Sequence, residues 1–350
     1  MLPKVAIVYL SYNGKRYLDD VFAALHNLNY PKDRLEFIFV DNASVDGNQE
    51  YLRQVEGITY FENTENLGFA GGNNLGMEHA LANGADYIYL HNNDLKLHPD
   101  AIHEAVEMAE KDSSIGSVQS LMTLWKHPEI VNSTGGMVHF LGFGFVRDNG
   151  RNVNEVTAQD GEEINYASGA AVLYRASVLK QVGVLDPFLF LYHEDLELGW
   201  RIRLAGFRNV LSLKSRAFHD YEFKRSVTKF FWMERNRWLV HFSHLKVGTL
   251  CLLVPLMVLL EIPLLAFALK GGWFTQKMRV YKSLLSPSSW KYVAGKRRES
   301  KKLRTITDHK IIALFTSRIA HQETDNIIVR NIANPILSLF WSGLKKIICW

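Results

Sequence analysis

The sequence predicts an α/β fold, a mostly parallel sheet flanked by helices, followed by a helical region that is apolar and then basic. Three observations carry this expectation. Short β-rich runs alternate with helix-period patterns through the first half, as βαβ units require. The runs end in polar residues, and after about residue 226 the composition changes character. The expected division is an α/β unit over residues 1–240 and a helical unit over 241–350.

The elements follow in order. "VAIVYL" (5–10) reads as a buried strand and "SYNG" (11–14) as its turn, after which Tyr17, Leu18, Val21, Phe22, Leu25 and Leu28 recur at helical spacing. "LEFIFV" (35–40) is a second strand ending at Asp41, and "ITYF" (58–61) a third, followed by a Gly/Asn-rich turn and a helix to about Ala82. "YIYL" (87–90) is a fourth, closed by His91-Asn92-Asn93-Asp94, and Pro99 suits the first turn of a helix. From Ile164, "INYASGAAVLYRASVLKQVGVLD" is a strand running into a short helix. In "PFLFLYHEDLELGWRIRLAGF", Leu196, Trp200 and Leu204 form one apolar stripe of a helix stopped by Gly206. "NVLSL" (209–213) is a last strand, with His219 shortly beyond it.

Val247 to Leu269 is 23 residues whose only charge is Glu261, long enough to cross a bilayer. A single span would carry "KRRESKKLR" (296–304) to the far side, against the positive-inside tendency. Glu261, Pro255 and Pro263 favour a bent, re-entrant or shallow helical hairpin instead. The closing "NPILSLFWSGLKKIICW" has the Leu, Phe, Trp and Lys mixture of an interfacial helix. Residues 270–350 hold 16 Lys and Arg against 4 Asp and Glu, and residues 1–269 hold 24 against 32. A basic tail beside an apolar run points to anionic lipid, while the acidic remainder argues against nucleic acid. With no secretory signal pattern and only Cys251 and Cys349, the expected location is a cytoplasmic membrane face, peripheral or monotopic.

Ligands of open α/β sheets bind outside the carboxyl ends of the strands. These ends present Ser11, Tyr12 and Asn13, then Asp41, Asn42 and Ser44, then Asn66 to Asn74, then Asn92 to Asp94. In "ENLGFAGGNNLG" (65–76), Gly68, Gly71 and Gly72 have two readings, a structural turn or close backbone approach to a ligand. Asp94 likewise is a turn former or a metal ligand. Glu194 and Asp195 stand together at a helix start, where capping explains one acid and not both. An acid beside the apolar aromatic lead-in "FLFLYH" can have its pKa tuned for base work.

The ordered set "SYN", "VDNASVD", "ENLGFAGGNN", "NND", "SGAAVLYR", "HEDLELGWRIRLAG" and "AFHDY" resembles the family 2 inverting glycosyltransferases of GT-A fold, and among them the rhamnosyltransferase-like members. The likeness runs over about residues 4–240 and more loosely to about 300; each motif alone is weak, and seven in order are specific. The resemblance implies a GT-A nucleotide-diphospho-sugar transferase fold with a membrane-associating C-terminal region. It implies a donor pocket of Ser11, Tyr12, Asn13, Asp41, Asn66, Gly68, Asn92 and Asn93, with Arg201 or Arg203 steadying the leaving group. It implies a Mg²⁺ or Mn²⁺ at Asp94 and His219, Asp195 as general base with Glu194 beside it, and an acceptor region of Ser168, Gly169, Tyr192 and Arg235. Arg237 is grouped with Arg235 as a candidate for acceptor phosphates. Asn92 stands where stricter members carry a first Asp, so the diphosphate must complete the metal shell. The expected donor is dTDP-rhamnose, with UDP-linked galactofuranose, N-acetylglucosamine or glucose as alternatives. The expected acceptor is a saccharide on polyprenyl diphosphate, and a homo-oligomer is compatible. Rivals are a nucleotidyltransferase, a processive synthase and a non-catalytic membrane-tethered scaffold; "MERNRW" only loosely echoes the synthase motif.

Overall fold

A computed structural model describes residues 2–221, 227–319 and 329–350. The strands are β1 (Val5–Ser11), β2 (Leu35–Asp41), β3 (Thr59–Glu62), β4 (Tyr87–Asn92), β5 (Leu95–Leu97), β6 (Ile115–Leu124), β7 (Val131–Ser133), the separate hairpin β8 (Gly136–Val138) and β9 (Gly144–Val146), then β10 (Glu163–Ile164), β11 (Ala171–Arg175) and β12 (Arg208–His219). The main sheet runs β10-β12-β6-β11-β4-β1-β2-β3, with β5 paired to β12 and β7 to β6. β1 to β4, β6 and β12 share one direction, and β11 runs against both neighbours, β4 and β6. Its reversal puts the start of β11 at the edge where the parallel strands end. Ser168 and Gly169 thereby join Ser11, Asp41, Asn92 and His219 on one side of the sheet.

Period-two burial builds a core on each face. Val5, Ile7, Tyr9 and Phe39 pack with α1 (Leu18–His26) and α4 (Ala101–Glu110), while Ala6, Val8, Leu10 and Ile38 pack with α3 (Gly68–Ala82) and α5 (Ala176–Val182). The short α2 (Asn48–Leu52) lies between them in sequence. The glycine-rich stretch expected as a turn is the first half of α3. Gly72 and Gly76 let this helix lie on the sheet, since a Cβ on either would come within 2.5 Å of Leu10 or Val8.

Other expectations shift for identifiable reasons. Pro99 precedes Asp100, the N-cap of α4, and so sits just outside the helix. The last strand continues past Leu213 to His219, because polar Lys214, Ser215 and Arg216 are absorbed by a register shift against β6. The strand expected from Ile164 is broken into β10 and β11 by the Asn165–Ala170 turn. The segment that carries β6 to β9 has no strong sequence period, and its strands were not legible.

The remaining helices are α6 (Glu194–Leu204), α7 (Val227–His244), α8 (Val247–Lys270), α9 (Phe274–Leu284), α10 (Pro287–Leu303), α11 (Asp308–Ile312) and α12 (Asn334–Ile347). The expected division between residues 240 and 241 falls inside α7 and inside a shared core, where Tyr166, Leu196 and Trp200 pack with Trp238, Leu253, Met257, Phe315 and Trp341; the change of character expected near residue 226 lies outside the described residues. The apolar segment is one continuous helix, not a hairpin. Pro255 and Pro263 are tolerated because both lie on its exposed side, where carbonyls freed by the missing amides face outward. Glu261 faces inward instead, 2.6 Å from both Arg237 and Lys277. Among the described residues, α8 is the one helix long and apolar enough to cross a membrane.

A buried charge group clamps α6 to α7: Glu197 meets the Arg201 guanidinium at 2.7 Å and His244 Nε2 at 3.1 Å. Burial pushes the Glu197 carboxyl up, but Arg201 and His244 more than offset this and hold it far below the usual range. Replacing Glu197 with Ala strands a buried guanidinium, and a loss of about 3–5 kcal/mol is expected. The readout is a lower urea midpoint at unchanged m-value, and an unshifted midpoint would remove this pair from the clamp.

Candidate active site

The crevice is assembled from loops that satisfy one another. Asp41 is fully buried, and its carboxylate accepts from Ser44 N (2.9 Å), Asn48 Nδ2 (2.6 Å) and Gln49 Nε2 (2.8 Å). Ser11 Oγ donates to Asn48 Oδ1. Asn13, at φ 54°, accepts from Val45 N, and its own amide donates to Ser44 Oγ. The Ser11–Asn13 and Asp41–Asn48 turns are thus one unit, from whose rim the Tyr12 ring stands exposed. Asn66 Oδ1 accepts from Asn42 Nδ2 and Gly68 N, which ties the third wall to the second. Gly68, at φ 75°, faces Phe190: a Cβ there would sit 2.5 Å from the Phe190 carbonyl. It is therefore a close-packing position and not an open cradle.

Asn92 ends β4 and donates its amide to Ala170 O at 3.0 Å, coupling the 92–94 turn to the start of β11. Asn93 Nδ2 reaches Tyr12 O at 3.3 Å. Asp94 Oδ1 lies 3.1 Å from His219 Nε2, and His219 Nδ1 lies 2.9 Å from Asn132 Oδ1. Burial raises the Asp94 carboxyl, but the His219 contact outweighs it and keeps the group below its ordinary value. Asn132 and Asp94 thus hold the His219 ring through its two nitrogens. Asp94 and His219 are the residues here that could hold a divalent cation. No third His, Cys, Asp or Glu joins them among the described residues, so any ion would draw its other ligands from substrate and water.

At the far wall, Asp195 Oδ2 accepts from Gly169 N at 3.1 Å, and Oδ1 from Leu196 N at 2.7 Å. Burial pushes Asp195 up to about 6, with the Gly169 and Leu196 amides opposing. Glu194 is raised well above the carboxylate range by burial and then by the Asp195 charge, and its buried Oε2 has no hydrogen-bond partner among the described residues. Burial thus lifts both acids, Glu194 further than Asp195. Ser168 donates its amide to Gln119 Oε1, and a Cβ on Gly169 would press within 2.8 Å of Phe69.

A family model described as Glycosyl transferase family 2 matches residues 6–183, half of the chain and most of this crevice. The chain belongs to glycosyl transferase family 2. It is 24% identical over 213 residues to the low-salt glycan biosynthesis hexosyltransferase Agl10 of Haloferax volcanii, over 58% of this chain and 62% of that one. It is 24% identical over 240 residues to the N-acetylglucosaminyl-diphospho-decaprenol L-rhamnosyltransferase of Mycobacterium tuberculosis, over 63% of this chain and 76% of the relative. The chain thus spans about three-fifths of the length of the Haloferax relative and about three-quarters of the mycobacterial one. Among solved structures, the mannosyltransferase PcManGT of Pyrobaculum calidifontis, in complex with GDP-Man and Mn²⁺, aligns with TM-score 0.51 at 15% identity, covering 86% of this chain and 87% of that one. The fold is that of the GT-A glycosyltransferases.

Three expected members of this family 2 site are elsewhere. Arg201 is buried on α6 with Nε, Nη1 and Nη2 engaged by Glu197, Val182 O and Val184 O, so it cannot reach a leaving group. Arg203 on the same helix is likewise buried, with Nε, Nη1 and Nη2 on Glu163, Ile311 O and Lys310 O. Arg237 is fully buried between Glu234 and Glu261 and has no access to acceptor phosphates. Arg235 differs: it donates to Phe188 O, lies over the Phe188 and Trp232 rings, and leaves Nε without a hydrogen-bond partner among the described residues. Burial lowers it to about 10, and no acid pairs with it among the described residues.

Three positions passed over in the sequence complete the site. Gln119 and Asn132 lie on β6 and β7, in the stretch without a legible period. Asn236 was hidden between two arginines of "MERNRW". Its Nδ2 donates to Leu189 O (2.9 Å), Leu191 O (3.1 Å) and Tyr192 O (2.7 Å). It pins a turn in which Phe190, Tyr192 and His193 all have positive φ. This turn aims Glu194 and Asp195. Asn236→Ala should release it, raising proteolytic nicking at residues 189–193 while the far-UV spectrum stays folded; unchanged nicking would show that the turn holds without it.

Proposed function

We propose that the protein is an inverting, metal-dependent hexosyltransferase that moves a sugar from a nucleotide-diphospho donor to a saccharide carried on polyprenyl diphosphate, at the cytoplasmic face of a membrane. The observation that carries this reading is a pair of carboxylates on one sheet edge with opposite tuning. Asp94 is kept ionised beside His219, and Asp195 is raised to about 6 against the Gly169 amide. Such a pair suits a cation site for a diphosphate and a single base for the acceptor hydroxyl.

In this reading, the exposed Tyr12 ring and the Ser11–Asn13 and Asp41–Asn48 turns receive the base, with Asn66 bordering it. Asn92 and Asn93 offer amides to the diphosphate. A Mg²⁺ or Mn²⁺ at Asp94 and His219 would draw off the charge of the leaving diphosphate. Asp195 removes the acceptor proton as the hydroxyl attacks the anomeric carbon from the face opposite the diphosphate, which inverts the centre. Protonated Glu194 keeps a second negative charge out of the base's surroundings. Ser168, Gly169 and Tyr192 line the acceptor side, and Arg235, a cation without an acid, is available to acceptor phosphates. The mycobacterial relative, an L-rhamnosyltransferase named for N-acetylglucosaminyl-diphospho-decaprenol, supports a lipid-linked acceptor and rhamnose as first donor sugar, from dTDP-rhamnose; a UDP-sugar is the alternative.

Membrane association is supported by two outward apolar stripes, Val258, Leu259, Ile262 and Leu269 on α8 and Ile336, Leu339, Phe340 and Ile347 on α12. Because α8 packs along α7 and α9 through Glu261, the reading favours a helix lying in the interface over one crossing it.

A screen of nucleotide sugars by nucleotide release, with lipid-linked saccharide present, tests the activity. Asp195→Asn should lower turnover by about 10²–10⁴-fold, whereas Glu194→Gln, which mimics the protonated acid, should cost far less. Comparable losses in both would sink the assignment of the base. Since the base acts deprotonated, kcat/KM should rise with pH through about 6 and level above it. EDTA should abolish transfer and Mg²⁺ or Mn²⁺ restore it; full activity in chelator would remove Asp94 and His219 from that role.

A further inference from the structure

We infer that the cavity between the α7–α8 junction and α10 binds the phosphate headgroup of an anionic lipid whose tail lies along α8. This rests on the membrane reading above and adds to it a defined site. The cavity has a volume of about 430 Å³, and its wall includes Lys246, Val247, Arg297, Arg298, Lys301 and Arg304, with no acid lining it among the described residues.

Two of these cations are fixed in place. Arg297 Nη1 donates to Phe242 O and Leu245 O, and Arg304 Nη2 donates to His244 O, so both guanidinium groups lie across the carbonyl end of α7. Arg304 also meets Asp308 at 2.7 Å, while Arg297 uses only Nη1 within the described chain. Lys246, Arg298 and Lys301 have no ion pair among the described residues. Held donors around a concavity, together with uncompensated positive charge, are the chemistry that recognises a phosphate.

The choice of a lipid over a free phosphate comes from what adjoins the cavity. Val247 is both part of its wall and the first residue of α8. From it an exposed stripe runs through Cys251, Pro255, Val258, Leu259, Ile262, Ala266 and Leu269. At 1.5 Å per residue this helix is about 36 Å long, enough to accompany an acyl or isoprenoid chain. None of the cavity residues belongs to the crevice, so the site is one of attachment and not of transfer.

The test is co-sedimentation of the full chain with phosphatidylcholine vesicles, with and without phosphatidylglycerol. The pocket variant is Arg298→Glu with Lys301→Glu. The control is Lys282→Glu with Lys291→Glu, an equal charge change on exposed residues outside the cavity. Each surface cation is worth about 1 kcal/mol of nonspecific attraction, so bulk electrostatics predicts equal losses in both. We expect the pocket variant to lose at least about tenfold more affinity than the control, a difference of about 1.4 kcal/mol. Equal losses, or none, would overturn the site.

Dihexanoyl-phosphatidylglycerol below its micelle concentration should raise the Tm of the native chain but not of the pocket variant. An equal shift with inorganic phosphate would assign a free-phosphate site and overturn the lipid claim. Nucleotide release is read separately: headgroup-selective binding without transfer on any donor would sink the transferase reading and leave this site standing.

Discussion

The chain between Leu189 and Glu194 is held in a conformation it would not adopt alone, and the reactive edge depends on it. Phe190, Tyr192 and His193 occupy positive φ, at a cost of about 1–3 kcal/mol each unless the surroundings over-determine them. The surroundings do. Phe190 O accepts from Phe69 N at 2.8 Å, its ring stacks on Trp232, and Asn236 collects the carbonyls on either side. One turn therefore joins α3, α6 and α7, and it delivers the acids of α6 to the start of β11.

The same side-chain type has a different chemistry at each of four places, set by what surrounds it. Glu197, one turn into α6, is ionised by Arg201 and His244 and serves the core. Asp94 is kept ionised by His219 despite burial. Asp195 is lifted by burial and restrained by two amides, while Glu194, buried with no compensating donor on Oε2, is lifted furthest. Burial alone does not sort these acids. The identity of the partner does: a cation, an amide or none.

The C-terminal helices follow the same logic at larger scale. Glu261 is the single acid of α8, and its pairing with Arg237 and Lys277 turns the helix so that apolar residues and both prolines face outward. Arg237, Glu234 and Lys277 thus act as a rotational key for the apolar helix. Arg235 on the same helix α7 has no such acid among the described residues and packs on aromatic rings instead.

By itself the sequence determined the βαβ alternation, the polar strand ends, the acidic start of α6 and the length of the apolar helix, because these rest on local period and residue type. It also carried, through seven ordered motifs, the likeness to family 2. What it could not carry was partner choice at a distance. Arg201 and Arg237 look like ligands in sequence and are core ion pairs in space. Gly68 looks like a cradle and is a contact with Phe190. Gln119, Asn132 and Asn236 look incidental and hold Ser168, His219 and the strained turn. Tertiary structure alone decided these roles, since each depends on which buried donor, acceptor or charge the fold brings within about 3 Å.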